Sequence, residues 1–117
     1  MPNSVIPGDG SVTRIAKHAF QRSELTQISI PEGITHINDN AFMDCNNITA
    51  IDLPHSLTHI GYSMLSRARS LTSITYTGSM AQWDAIAKGE QWDAQTGDYI
   101  VYCIDGTVAK DGAVAKY

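Results

Sequence analysis

Residues 30–52, IPEGITHINDNAFMDCNNITAID, and residues 53–75, LPHSLTHIGYSMLSRARSLTSIT, decide the fold. Their apolar positions recur at one constant spacing, so that Ile30 matches Leu53 and Phe42 matches Leu65. Residues 6–29, IPGDGSVTRIAKHAFQRSELTQIS, fit the same pattern after two extra residues near Gly8–Ser11 and one missing residue near Arg22. A period of this length indicates an array in which each unit stacks on the next.

Each unit ends on a short segment with the periodicity of a strand. The shared pattern is LxxIx(I/L/Y), found at Leu25–Ile30, Ile48–Leu53 and Leu71–Tyr76. Alternation of apolar and polar residues predicts a strand with one buried face. Pro31 and Pro54 follow the first two segments directly. Because proline lacks a backbone donor, each is expected to end its strand.

A second apolar pattern lies between these strands. The motif (V/I/L)-Thr-x-Ile, at Val12–Ile15, Ile34–Ile37 and Leu57–Ile60, predicts a short extended segment on the far side of each unit. A single unit cannot bury its apolar side, whereas stacked units pair their strands about 4.8 Å apart in parallel sheets. The sequence therefore predicts a β-rich solenoid of about three 23-residue turns over residues 1–75.

The period changes after residue 75, and residues 76–117 predict an α+β cap packed on the solenoid. Ser79 is expected to cap a helix running to about Lys88, with Gly89 as its stop. Two Asp-Gly pairs then predict antiparallel hairpins. The strands expected on either side of them are Tyr99–Ile104, Thr107–Lys110 and Ala113–Tyr117.

Aromatic residues are concentrated in this cap. Both tryptophans and four of the five tyrosines lie at or after Tyr76. Two interpretations follow: the rings cover the open end of the solenoid core, or they form a platform for a sugar or peptide. Residues 1–6 are too short to give the N-terminal end a comparable cover. Preceding repeats of a longer chain, or self-association with a second copy, are the two ways in which that end is expected to be masked.

The repeat pattern (I/L)PxxLTxIxxxAFxxCxxLTxI resembles the BspA-like class of leucine-rich repeats, which is common in bacterial surface proteins, over residues 6–75. The segment from Tyr76 onwards resembles the unit that closes such arrays. Two positions depart from the pattern: its cysteine appears only as Cys45, and Met64-Leu65 replaces Ala-Phe in the third unit. The resemblance implies a right-handed solenoid without a cofactor, acting in adhesion or recognition as part of an exported, cell-surface or extracellular protein.

Composition narrows the range of partners. The 117-residue chain carries a formal net charge of −4, which argues against nucleic acid or an anionic membrane, since both attract basic surfaces. No apolar run approaches the roughly 20 residues needed to span a bilayer, so membrane insertion is not expected. Residues 1–8 lack the basic and apolar regions of a secretory signal. The sequence is therefore expected to be a piece of an exported protein or a free-standing intracellular scaffold.

The residues give little support for catalysis or for a metal site. No GxSxG, HExxH or phosphate-binding glycine loop occurs, and an enzyme is not expected. His36 and His59 occupy equivalent positions and should stack one strand spacing apart. Two imidazoles can bind zinc or copper, but a site needs further ligands, so a solvated column is the preferred interpretation. Cys45 and Cys103 are predicted to be buried thiols rather than a disulfide.

The strand face opposite the core is the predicted ligand surface, for a protein or a glycan. Its outward positions, flanked by Thr26, Thr49 and Thr72, are Gln27, Ser29, Ala50, Asp52, Ser73 and Thr75. A stable interface buries about 800 Å² per partner, nearly all of such a face, so weak binding that is strengthened by multivalency in a longer parent protein is expected. The alternative is a purely structural cap and spacer of a longer repeat protein.

Overall fold

The computed structural model describes residues 6–117, which wind through four coils and end in antiparallel strands. Each coil gives one strand to a narrow parallel sheet and one to a wide sheet. The narrow sheet consists of β1 (Arg14–Ile15), β3 (His36–Ile37), β5 (His59–Ile60) and β7 (Ala87–Lys88), in that order. The wide sheet takes the order β10-β9-β8-β6-β4-β2. Its strands are β2 (Gln27–Ser29), β4 (Ala50–Leu53), β6 (Ser73–Tyr76), β8 (Ile100–Tyr102), β9 (Gly106–Ala109) and β10 (Val114–Lys116).

The repeat predicted from the sequence is confirmed. Ile28 pairs with Ile51, which pairs with Ile74, so equivalent residues of successive units face each other across the parallel ladder. The two prolines act as expected, because β2 ends at Ser29 and β4 ends at Leu53. The second extended segment of each unit is also present, as β1, β3 and β5.

A fourth coil follows the three that the repeat predicts. Strand β7 pairs in parallel with β5, and β8 pairs in parallel with β6. Ala50 lies opposite Ser73 at the spacing of the repeat, whereas Ser73 lies opposite Ile100, several residues beyond the position that the same spacing predicts. The extra length belongs to a helix inserted in the chain between β6 and β7. Because of this insertion, the fourth coil does not match the fixed period of the repeat.

That helix, α1 (Met80–Ala85), is shorter than the sequence predicts. Ser79 caps it as expected: its side chain accepts from the backbone N–H of Gln82, whose side chain in turn accepts from the backbone N–H of Ser79. The predicted end near Lys88, with Gly89 as the stop, is wrong. Ile86 is already extended, and the backbone N–H of Ala87 donates to the carbonyl of Thr58 at 3.0 Å. A hydrogen bond to the preceding coil thus replaces the next bond of the helix.

The predicted meander is confirmed, since β8, β9 and β10 pair antiparallel. Strand β8 belongs to both the meander and the solenoid, however, because its other edge pairs in parallel with β6. The cap therefore continues the wide sheet rather than lying against it as a separate layer.

The core is a column of apolar side chains that runs the length of the solenoid. Ile51, Ile74 and Val101 point inward from consecutive strands and are buried. At the turns, the fully buried ring of Phe42 stacks on Phe20 with ring centroids 5.1 Å apart. The first coil is also covered, with Ile15, Leu25 and Ile28 all buried. The expectation of an uncovered N-terminal end concerns Met1 to Ile6, of which only Ile6, a buried residue, lies within the described residues.

Every coil turns through the same backbone conformation. Two residues four positions apart adopt positive φ in each coil: His18 and Arg22, Asn40 and Asp44, Ser63 and Arg67, Gln91 and Gln95. Such values are uncommon outside glycine and are strained unless the surroundings impose them. In the first three coils the main chain imposes them, since the N–H groups of these residues donate to carbonyls of the next coil, as in the 2.9 Å bond from Asn40 to Tyr62.

Replacement of Phe42 by alanine tests the core column. We expect Phe42→Ala to lower the free energy of unfolding by about 3–5 kcal/mol, because a fully buried ring leaves a cavity. Phe20→Ala is the matched control, and its cost should be smaller because Phe20 is only partly buried. Urea denaturation of the two variants measures the difference, and equal losses would contradict this description of the turn.

Replacement of Gly97 by alanine tests how closely the third and fourth coils approach. A Cβ atom at Gly97 would lie 2.3 Å from the backbone oxygen of Leu71. We expect Gly97→Ala to cost about 1–3 kcal/mol, because backbone atoms must move apart. Gly8→Ala serves as the control, since its Cβ would make an ordinary 3.7 Å contact with Pro31. A Gly97→Ala variant as stable as the wild type in thermal unfolding would show that the coils are not packed this tightly.

Candidate recognition surface

The structure brings the six predicted ligand-face residues together as two straight rows on the wide sheet. Parallel pairing aligns Gln27 with Ala50 and Ser73, and Ser29 with Asp52 and Thr75. Gln27, Ser29, Asp52 and Thr75 are exposed, whereas Ala50 and Ser73 are half-buried. The rows are straight because residues between them point inward and lock the register.

Both rows continue onto the fourth coil, where their character changes. Ile100 pairs with Ser73, and Tyr102 pairs with Thr75. These side chains keep 38% and 43% of their surface exposed. The constant spacing of the repeat places both residues in the cap and outside the predicted ligand face, because the inserted helix breaks that spacing. The alternation of outward and buried positions at Ile100–Tyr102, which matches that of Ser73–Thr75, was the signal for them.

Hydrogen bonds between coils hold the polar part of the face in place. The hydroxyl of Ser29 donates to Oδ2 of Asp52 at 2.6 Å. The hydroxyls of Thr49 and Thr72 donate to the carbonyls of Thr26 and Thr49, at 3.2 and 3.1 Å. The threonines are therefore committed to backbone carbonyls of their neighbours. Asp52 is the only ionisable side chain among the six predicted positions and keeps free acceptor capacity toward solvent.

The predicted histidine column forms on the narrow sheet. The rings of His36 and His59 stack with centroids 4.4 Å apart and planes 5° from parallel. The hydroxyl of Thr35 donates to the carbonyl of Thr13 at 3.2 Å, so Nδ1 of His36, 2.8 Å from that hydroxyl oxygen, acts as the donor. The same arrangement, through Thr58, makes Nδ1 of His59 a donor.

When a ring of this pair is neutral, its Nε2 is therefore the acceptor nitrogen. Because the rings are parallel, the two in-plane lone pairs run side by side and do not converge on one metal ion. Partial removal from solvent, then Arg14 and His59, lower the pKa of His36, which favours its neutral form. Among residues 6–117, no group of three or more His, Cys, Asp or Glu side chains is placed to hold a metal ion.

Most of the cap aromatics cover the core, in line with the first of the two interpretations. Tyr76, Trp83 and Tyr99 are buried, and Trp92 is partly buried. The four rings pack edge-on or tilted, with successive centroids 5.4, 5.9 and 5.9 Å apart. Tyr102 and Tyr117 differ, since both are exposed. The covering role therefore applies to the inner four rings only.

A cavity of about 550 Å³ lies beside these rings, between α1 and the C-terminal strands. The ammonium group of Lys88 lies 4.6 Å from the centre of the Trp83 ring and donates to the Trp83 carbonyl at 2.6 Å. Burial lowers the pKa of Lys88. Burial, followed by the hydrogen bond to Asp93, raises the pKa of Tyr99. The wall thus carries a lysine and a tyrosine that are both committed to protein acceptors.

The two cysteines are free and buried, as the sequence predicts. Burial raises the pKa of both thiols. The thiol of Cys45 donates to the carbonyl of Phe20 at 3.1 Å, which joins the first two coils at the turn. Neither thiol is suited to act as a nucleophile, since the reactive form is the thiolate.

Stacked coils with parallel strands, apolar residues inside and short turns define a leucine-rich-repeat solenoid. The profile of the BspA type Leucine rich repeat region matches residues 3–87, in six copies. The chain belongs to this family. Solenoids of this family are generally not catalytic. No match to this chain was found among curated proteins or among solved structures. No helix in residues 6–117 is long and apolar enough to cross a membrane.

The buried Tyr99 predicts a loss of stability at alkaline pH. Its pKa in the folded chain is raised above the ordinary value of about 10, so the folded state keeps a proton that the unfolded state releases. The contribution is fully present below about pH 10 and declines as pH rises, by up to about 1.4 kcal/mol per pH unit. Lys88, whose pKa is lowered, opposes this trend near pH 10.

Urea titrations between pH 8 and pH 11 measure this effect, with Tyr99→Phe as the comparison. The phenylalanine variant should be less stable at neutral pH, because it loses the 2.6 Å hydrogen bond to Asp93. Its stability should also fall less steeply above pH 10. Identical slopes for the two proteins would rule out Tyr99 as the group that titrates.

Proposed function

We propose that this chain is a non-catalytic recognition module of a bacterial surface protein and that it binds a protein ligand through the wide sheet. The surface consists of eight outward positions in two rows, which we call the strand face: Gln27, Ala50, Ser73, Ile100, Ser29, Asp52, Thr75 and Tyr102. Family membership supports the proposal, since BspA-type repeats are typical of bacterial surface proteins.

The change of character along the strand face is the observation that carries the proposal. Three coils offer small, nearly uncharged polar groups, and the fourth offers exposed Ile100 and Tyr102. Protein interfaces combine these features. Aromatic side chains are enriched at the desolvated centre of an interface, and polar groups around them complement the surface of the partner. Rows of side chains in register on neighbouring strands also favour a broad contact with a protein over a glycan at this face.

The size of the strand face indicates weak binding by a single module. A stable interface buries about 800 Å² on each partner, more than a few short strands offer without their loops. Weak sites gain strength when several are linked, and repeat proteins of the cell surface meet that condition. We therefore expect micromolar or weaker binding for this chain alone.

Binding to a panel of matrix proteins and glycans tests the proposal. The test variant carries Ser29→Lys, Asp52→Lys and Thr75→Lys, which place three long cations in one row. A control with the same charge change carries Ala16→Lys, Asp84→Lys and Ala87→Lys, all at exposed positions away from the strand face. We expect saturable binding of at least one protein by the wild type and the control, and at least about a tenfold loss in the test variant.

A third variant separates the two ends of the strand face. Tyr102→Ala removes the exposed anchor of the fourth coil and leaves the polar rows intact. We expect it to weaken binding about as strongly as the triple variant. Binding that survives the triple variant would contradict the proposal, and loss in the control would move the contact to the cap or to the narrow sheet. Absence of any binding would favour a purely structural cap and spacer.

A further inference from the structure

Strand β10 forms one edge of the wide sheet. Among residues 6–117, no strand pairs with its outer side. All residues of the strand, Val114–Lys116, are exposed. An exposed edge strand presents unpaired backbone donors and acceptors, and it is a template for pairing with another chain. The outer side of β10 is therefore a candidate interface.

The ladder between β9 and β10 shows which backbone groups of this edge are free. The N–H of Ala109 in β9 donates to the carbonyl of Ala113 at 2.8 Å. Hydrogen-bonded positions alternate along an antiparallel strand, so Ala115 also directs its backbone groups towards β9. The N–H and C=O groups of Val114 and Lys116 therefore point away from β9, along the free edge.

These free groups match those of a second copy of β10. When two β10 strands run antiparallel about a two-fold axis at Ala115, Val114 of each copy lies opposite Lys116 of the other. Each such pair exchanges both of its backbone hydrogen bonds. The two copies of Ala115 form the non-hydrogen-bonded pair between them, where Cα atoms approach to about 4.5 Å and a small side chain fits.

The side chains of the edge also complement one another in this register. Val114 and Tyr117 keep 66% and 75% of their surface exposed, although both side chains are largely apolar. The N–H of Tyr117 donates to the carbonyl of Asp105 at 3.3 Å, so the ladder extends to this residue. In the two-fold pair, the ring of Tyr117 lies opposite Ala113 of the second copy. The apolar stem of Lys116 lies opposite its Val114.

The charge and the surroundings of β10 are compatible with this pairing. A lysine on an edge strand often prevents association. Lys116 is, however, the only charged residue of β10, and antiparallel pairing about Ala115 places it opposite valine rather than opposite its own equivalent. Helix α1 packs against β9, and the exposure of Val114 shows that the inward side of β10 is open. The helix therefore leaves room for a second strand.

From these features we infer that β10 is a homodimer interface, at which two copies of this chain join their wide sheets through antiparallel β10 strands. Stable interfaces bury at least about 1,200 Å² in total, more than a pair of such short strands supplies. The association is therefore weak, with a Kd on the order of 0.1 mM.

The dimer presents both strand faces on the same side. Side chains of directly opposed residues in antiparallel strands share one face of the sheet, so the outward rows of both copies face one way. Two linked copies of a weak site bind more tightly than one. The dimer thus supplies bivalency to the proposed function of the strand face, but the association itself does not depend on that function.

Sedimentation equilibrium of the purified chain from about 10 µM to about 1 mM, without any ligand, tests the inference. We expect a reversible equilibrium between monomer and dimer. Lys116→Pro removes an outward N–H and leaves the bonds of Ala115 to β9 in place. It should weaken dimerisation about tenfold or more, with a thermal midpoint within a few degrees of the wild type. Lys116→Ala is the matched control, and it should dimerise within a few-fold of the wild type.

A cysteine at the two-fold axis tests the register independently of the proline variant. Under mild oxidation, Ala115→Cys should form a disulfide-linked dimer, because its two Cα atoms lie within the disulfide range of about 4.4–6.8 Å. Val114→Cys is the control. Its two copies are offset along the strands and lie about 8 Å apart, so it should cross-link more slowly. The native Cys45 and Cys103 are buried.

Three results would overturn the inference. The first is a chain that stays monomeric at about 1 mM. The second is a dimer that Lys116→Pro does not weaken, which would place the contact elsewhere on the molecule. The third is cross-linking of Ala115→Cys no faster than that of Val114→Cys. A dimer that forms as expected but binds no matrix protein would support this inference and count against the function proposed for the strand face.

Discussion

The parallel hydrogen-bond ladder between coils is the constraint on which the rest of this structure depends. It fixes equivalent residues of neighbouring coils opposite each other, so any side chain repeated in the sequence becomes a row in space. The Ile28, Ile51 and Ile74 column, the His36–His59 stack and the rows of the strand face are all products of that register. Backbone hydrogen bonds to the next coil likewise hold the positive-φ turn residues of the first three coils.

Most of the fold follows from the sequence because a period that recurs from unit to unit is a global signal. The strands, the prolines that end them and the register of the strand face all follow from it. The fourth coil does not, since an inserted helix displaces Ile100 from the position that the period assigns to it. The end of that helix is mispredicted for a related reason. Nothing in the sequence around Ala87 disfavours a helix, but this residue is extended and pairs with the preceding coil.

The candidate sites divide in the same way. The six polar positions of the strand face can be named from alternation alone, whereas Ile100 and Tyr102 require knowledge that β8 adjoins β6. A polar cavity of about 320 Å³ on the turn side of the solenoid lies further beyond sequence reasoning. Asn40, Tyr62 and Gln91 share no motif, and their meeting depends on the turn conformation of three coils.

The antiparallel hairpin that follows β8 makes the two edges of the wide sheet different. Strand β9 occupies the edge on which the strand of a fifth coil would form, and it runs the opposite way. A further parallel coil therefore has no matching row of donors and acceptors at that end of the wide sheet. The edge of β2 keeps the parallel pattern and can accept another coil in register. As a building block, this unit stops parallel growth of the wide sheet at β9 and permits it at β2.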